Sequence, residues 1–201
     1  MHWPHNYSSA WRDHRLTLIF LLLAWLVVAA TAWADSAGVP VQLQARLLEK
    51  VVKYDRNLPA RAQGRVKVLV VMRRNDADSE RTGQLLVHSL RQLSNIGGLP
   101  HEVQAGWYSS AAALHKSVQE EHLSMVCLAS GLGSEVSAIG RALAGLDVLT
   151  VSVDPNDIPN GIVLGFDLVS GKPVPLVLLP AAKRQHVAFM PQALKLMKVY
   201  R

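Results

Sequence analysis

Gly131-Leu132-Gly133 follows an apolar stretch and opens a helical one, the position of a phosphate-binding loop in a nucleotide domain. Such a loop needs a third glycine, or a Gly-Lys-Ser/Thr ending, to bring its N–H groups onto a phosphate. Val136 occupies the third glycine's place and no Gly-Lys-Ser/Thr follows, so the segment reads as a tight strand-to-helix turn. Ser130 lacks the flanking glycines of a hydrolase nucleophile elbow. His115 and His122 stand seven apart, whereas metal-binding pairs on a helix prefer three or four, so they read as surface histidines. Asp76-Ala77-Asp78-Ser79-Glu80 alternates acids as a calcium loop does. It has Arg81 where that loop needs glycine and Val87 where it needs glutamate, and so reads as a helix cap. Asp154-Pro155-Asn156-Asp157 is a turn at the carboxyl end of a strand, where open α/β sheets take ligands. Cys127, the single cysteine, lies in the apolar run Met125–Ala129 and reads as a small buried hydrophobe. No constellation for covalent, metal or cofactor chemistry emerges, and the chain reads as a non-enzyme with no cofactor.

The elements that must position these residues follow from apolar spacing. Val41, Ala45, Leu48 and Val52 recur at helical intervals before Pro59. Val66 to Met72 is nearly continuous in β-branched and apolar residues, the pattern of a strand buried on both faces. Asp76 to Ser79 offers caps for a helix with Leu85, Leu86, Leu90 and Leu93 as its stripe, ending at Gly97-Gly98. His101 to Tyr108 reads as a strand with Val103, Ala105 and Trp107 on one face. Ser109 or Ser110 then caps a helix to about Glu121. Ser124–Ala129 and Val148–Val153 are further strands, with a helix over Ser134–Ala144 between them. This alternation predicts an α/β fold: a single domain with a mostly parallel sheet flanked by helices. Ile162–Val169 and Val174–Leu179 flank Ser170-Gly171-Lys172-Pro173, predicting a C-terminal antiparallel hairpin. Pro173 and Pro175 remove ladder donors, which predicts that this last strand lies at an edge. Ala193, Leu194, Leu196, Met197 and Tyr200 predict a terminal helix.

Composition and the N-terminus restrict function. Arg12 and Arg15 precede the apolar run Leu16–Ala30, and Ala32-Trp33-Ala34 then offers a small-x-small cleavage site before Asp35. Residues 1–34 read as a signal peptide cut after Ala34, with Ala32 and Ala34 as the residues the peptidase reads. The alternative is an uncleaved N-terminal anchor, since the apolar stretch to Ala34 approaches the length of a membrane span. Either way the body faces outward, so the expected location is periplasmic. Residues 35–40 form a short tether and 41–201 the domain. The chain has 201 residues and formal net charge +6, with no run of four Lys/Arg, so nucleic-acid binding is not expected. One cysteine permits no internal disulfide.

Trp107-Tyr108 is the pair with a clear binding implication. Strand alternation sends the rings to opposite faces, one into the core and the other to a partner, because aromatics dominate interface hot spots. The stretch Leu176 to Met190 also leaves apolar residues over. Phe189 and Met190, together with Trp107 or Tyr108, are therefore the expected partner contacts.

Taken together, several segments resemble the YfiR/HmsC-like periplasmic proteins. Val41–Tyr54 is similar to their opening helix, and Leu164-Gly165-Phe166-Asp167-Leu168-Val169-Ser170-Gly171-Lys172 to their late glycine-aromatic hairpin. Pro180-Ala181-Ala182-Lys183 resembles the Ala-rich step that follows, and Gln192–Val199 their Leu-Leu-Lys-Leu-type ending. The chain departs from that pattern in having Tyr54-Asp55-Arg56-Asn57-Leu58-Pro59 where the family often carries aromatic-x-x-Trp-Pro. It also lacks the family's cysteine pairs. The resemblance implies a non-catalytic regulator that restrains a membrane sensor protein, binding the periplasmic region of a diguanylate cyclase and lowering cyclic-di-GMP signalling. A homodimer is compatible with it. The alternative from fold class alone is a periplasmic solute-binding protein for a small ligand.

Overall fold

The computed structural model describes residues 38–201; Ala32, Ala34 and the segment boundaries before Gly38 lie outside the described residues. The chain enters through α1 (Val41–Val52) and the one-turn α2 (Leu58–Ala62), then β1 (Val66–Met72) and α3 (Ala77–Arg91). There follow β2 (His101–Trp107), α4 (Ala111–Glu120), β3 (Met125–Leu128), α5 (Val136–Ala142) and β4 (Leu149–Ser152). A 3-10 turn (Pro155–Asp157) leads to β5 (Leu164–Val169), β6 (Lys172–Leu178), α6 (Leu179–Arg184), α7 (Pro191–Leu194) and β7 (Lys198–Tyr200). No helix of the described residues is long and apolar enough to cross a membrane.

The seven strands form one sheet in the order β2-β1-β3-β4-β5-β6-β7, parallel throughout except for the antiparallel β5–β6 pair. This is the expected mostly parallel α/β sheet with a hairpin. Every residue of β1 except Lys67 is buried, and all of β3 and β4 are, as non-alternating strands require when helices cover both faces. Right-handed crossovers impose that cover. The chain moves from β1 outward to β2 through α3, then back past β1 to β3 through α4, so α3 and α4 take opposite faces. α1 packs on α3, and α5 packs on α4. Cys127 is fully buried and its thiol is pushed up to about 12 by desolvation alone, so it is inert packing.

Local chemistry sets the joints. Asp76 caps α3 by accepting from the backbone N–H groups of Asp78 and Ser79, and Ser110 caps α4 through Ala113 N–H. The hairpin turns on Ser170 and Gly171 with φ of 52° and 73°, the two positive values of a type I′ turn. Thr150 lies before the start of the β4–β5 pairing. Its N–H and hydroxyl both donate to the Gln185 side-chain oxygen, and Val163 N–H donates to its hydroxyl, so a side chain completes the ladder.

Two expectations are corrected. The last strand is β7, not the proline-bearing β6. β7 pairs only with Leu176–Leu178, leaving the Pro173 and Pro175 end of β6 without an outer neighbour, where a missing N–H costs nothing. The terminal helix is a single turn begun at Pro191; the chain then extends so that Lys198–Tyr200 can take ladder bonds. On β2, Val103, Ala105 and Trp107 share a face as expected; Val103 is buried, with the Arg91 guanidinium donating to its carbonyl, while Ala105 and Trp107 are exposed at the sheet's edge.

A buried ion pair fastens the C-terminal strap. Asp55 and Arg61 pair with almost no side-chain exposure. The other Asp55 oxygen accepts from Asn57 N–H at 3.1 Å and from Ala188 N–H at 2.9 Å. Backbone bonds from Arg56 N–H to Ala188 O and from Met190 N–H to Tyr54 O flank them. Phe189 is thereby drawn into the core. Asp55→Ala leaves the Arg61 charge buried without its partner and is expected to cost about 3–5 kcal/mol in urea unfolding at neutral pH. Phe189→Ala is expected to cost a similar ~3–5 kcal/mol through the cavity it opens. Losses below about 1 kcal/mol in both would mean the strap is not fastened in this way.

Candidate functional site

The strand order reverses between β1 and β3, since the chain leaves β1 for β2 on one side and continues from β3 on the other. Loops at the carboxyl ends of the two strands diverge there and open a crevice, the place where open α/β sheets take ligands. Arg73 directly follows β1 and its side chain is about two-fifths exposed. Its guanidinium donates to Ser134 Oγ at 2.8 Å and lies 3.5 Å from Glu135 Oε1, both on the loop from β3 to α5. Its backbone N–H donates to Ser79 Oγ at 2.8 Å, which fixes the base of the side chain to α3. Tyr108, just past β2, donates its hydroxyl to Glu135 Oε2 at 3.4 Å. Burial first, then the Glu135 carboxylate, pushes the phenol above its ordinary value, so Tyr108 stays a donor. Arg73, Ser134, Glu135 and Tyr108 thus form one polar cluster. None of its members except Tyr108 carries a sequence signal, because the cluster joins positions up to 62 residues apart only after β1, β2 and β3 align.

Beside this cluster, between β2 and α4, lies an open cavity of about 210 Å³ lined by Leu69, Gly106, Tyr108, Ser110 and Ser117 among others. Gly106 makes room for it, since a Cβ there would press on Leu69 Cδ1 at 3.1 Å. Trp107 stands at the rim, 42% exposed, with the Arg74 guanidinium 5.6 Å from its ring centroid, a cation–π distance.

The other residues singled out are placed as follows. Gly131 takes φ +82°, and a Cβ there would meet Asp76 Oδ2 at 2.5 Å. The glycine therefore admits the carboxylate that caps α3, and a phosphate at this loop would face that negative charge. Ser130 Oγ donates to Thr82 Oγ1 at 3.1 Å and contacts no histidine. His115 bonds the Ala142 carbonyl while His122 is exposed beyond the end of α4; the two are not brought together, and no metal-ligating group of three or more is found among the described residues. Asp157 is buried and accepts from Ser152 Oγ at 2.6 Å, closing the turn after β4. Of the expected partner contacts, Trp107 is exposed and Tyr108 half-buried. Phe189 is not: at 6% exposure it is a core residue, pinned by the Asp55 strap, and Met190 beside it is half-buried. The apolar stretch Leu176 to Met190 is spent on β6, the underside of α6 and the strap, so the expected exposed patch there is corrected.

No protein-family model matches the chain, and no curated protein does. Several solved structures do. A Streptococcus pneumoniae ABC domain in complex with L-Trp is similar at 9% identity and a TM-score of 0.56, over 80% of this chain and 62% of its own. A conserved domain protein from Vibrio cholerae is similar at 13% identity and 0.52, over 81% and 60%. An open, ligand-free substrate-binding protein with adhesive properties from Clostridium difficile is similar at 8% and 0.51, over 72% and 57%. The likeness is one of fold, and the chain spans about 57–62% of the length of these structures.

Burial raises the Asp157 carboxyl above its ordinary value, with the Ser152 bond opposing and Asp154 adding to the shift. The folded state therefore holds this proton more tightly than the unfolded one. Its contribution is full at pH below the unfolded carboxylate value and is lost as pH rises through the raised folded value. Asp157→Asn is expected to flatten that decline when urea stability is measured from acid to neutral pH. An unchanged pH profile would show that Asp157 ionises freely in place.

Proposed function

We propose that the chain is a non-catalytic, exported binding domain that takes a small anionic or zwitterionic solute at the carboxyl edge of its sheet. The observation that carries this reading is Arg73: an accessible guanidinium at the strand-order reversal, its backbone N–H fixed by Ser79 and its charge balanced by Glu135. A ligand carboxylate would take the place Glu135 holds on Arg73, with Ser134 and Tyr108 as further hydroxyl partners and the cavity beside β2 receiving an apolar group. The fold-level likeness to substrate-binding proteins supports a ligand at this edge, and the apolar Arg12–Ala34 segment supports export. Titration calorimetry with L-tryptophan, L-leucine and L-glutamate is the test. At least one should bind saturably, and Arg73→Ala should weaken it by at least about tenfold, the usual worth of one charge-assisted bond, with thermal stability nearly unchanged. Binding by none of the three, or binding indifferent to Arg73, would argue against a solute site here.

A second reading rests on Trp107, an exposed aromatic at the rim of an edge strand, together with the resemblance to YfiR/HmsC-like proteins. In this reading the rim contacts the periplasmic part of a membrane diguanylate cyclase and restrains it. Deletion should then raise cyclic-di-GMP, and Trp107→Ala should reproduce the deletion while leaving the protein folded and exported. A Trp107→Ala strain with ordinary cyclic-di-GMP beside a deletion strain with raised levels would remove Trp107 from that role.

A further inference from the structure

From Leu168 to Arg201 the chain has no Asp or Glu but six basic residues, Lys172, Lys183, Arg184, Lys195, Lys198 and Arg201. These 34 residues build β6, β7 and the two short helices of one sheet edge, five strands away from Arg73. All six basic side chains belong to exposed residues, and none makes an ion pair to a carboxylate among the described residues. Between Lys195 and Lys198 stands Leu196, 77% exposed, far more than any other large apolar residue described. Lys198 lies over the ring of half-buried Tyr200, 5.4 Å from its centroid. A single exposed leucine is ordinary by itself; Leu196 is set apart by the basic residues Lys195 and Lys198 on either side of it in the chain.

We infer that this edge docks on an anionic lipid surface, with Leu196 entering the interface and Lys195 and Lys198 beside it meeting the headgroups. The charge is complementary, and its form favours lipid over an acidic protein. The cations are spread over several elements and four of the six are lysines, flexible point charges suited to a mobile headgroup layer rather than to fixed carboxylate partners. A lone leucine needs a shaped pocket on a protein but none in a bilayer interface. Each Lys or Arg that reaches an anionic surface strengthens partitioning about fivefold, and salt screens the gain. This surface is distinct from the carboxyl-edge site, and its assignment does not depend on the ligand proposed there.

The test places an environment-sensitive NBD dye on Leu196→Cys in the exported protein; Cys127, fully buried, stays unlabelled. Vesicles of phosphatidylcholine alone serve as the control for any apolar segment that reaches a bilayer independently of charge. Adding phosphatidylglycerol should shift the dye emission to the blue and strengthen binding at least about tenfold, an effect lost in high salt. Lys195→Glu with Lys198→Glu should abolish the anionic-lipid gain, whereas Arg141→Glu on α5 should leave it in place. Equal emission on both vesicle types, or a gain that survives the double reversal, would overturn the assignment. A shift produced by an added acidic protein and by neither vesicle would overturn it as well.

Discussion

The rest of the structure depends on the need to cover β1, β3 and β4 on both faces. β1 and β3 carry apolar side chains above and below the sheet, and β4 has Leu149 and Val151 on one face and buried Thr150 and Ser152 on the other, so all three are stable only between two layers of helix. One layer cannot be made without the other. Because parallel crossovers have one hand, the chain covers both faces only by winding outward from β1 and then returning past it. The reversal in strand order is therefore the consequence of burying Val66–Met72 twice over. The crevice at the carboxyl edge is in turn the consequence of the reversal. Arg73 and Glu135 meet there because the loops on which they sit must part and then face each other, not because any local motif joins them.

Much of the fold was legible because its signals are local. Asp76 and Ser110 cap helices through N–H groups two or three residues away, and Ser170-Gly171 makes a type I′ turn from its own two residues. The non-alternating run of β1 announces burial by composition alone. What was not legible depends on partners far along the chain. Residues 193–200 have helical apolar spacing, yet a three-residue strand wins because β6 leaves an open ladder at Leu176–Leu178 and the chain can reach it. Phe189 follows a stretch without clear period and is drawn inward by Asp55, 134 residues earlier. Trp107 could be singled out, because an aromatic pair on a strand must divide between two faces. Arg73 and Glu135 could not, since nothing in either local sequence distinguishes them from ordinary surface charges.

Proteins that clamp a solute between two lobes exclude water from both sides of it. At the proposed site Arg73 is about two-fifths exposed, so a ligand there would keep part of its surface in solvent unless a further surface covered it, and each charge-assisted bond would compete with water. Affinity from such a half-site is modest unless a second surface closes over it. An ion pair between Arg73 and Glu135 suits a site of this kind: it satisfies the guanidinium when the crevice is empty and is screened enough to be exchanged. The same openness leaves Trp107 at the rim, available to whatever closes the site.

The chemistry of the crevice also selects among anions. The Gly-Leu-Gly turn has the shape of a phosphate loop, but its first glycine is committed to another purpose. With φ at +82° and the Asp76 carboxylate against its Cα, Gly131 lets the α3 cap and the β3 loop approach more closely than any side chain would permit. The N–H groups at the start of α3 are consumed by that same carboxylate. A phosphate approaching this turn would therefore meet the fixed negative charge of Asp76. Positive potential at the reversal is confined to Arg73 and, beyond Trp107, to Arg74. At the proposed site an anion would meet a single fork-shaped guanidinium, at the position where Glu135 already presents a carboxylate. A ligand carboxylate would there replace a group of its own kind, and the guanidinium fork suits it as it suits other planar or tetrahedral oxyanions, so the bias against phosphate would come from Asp76 rather than from Arg73.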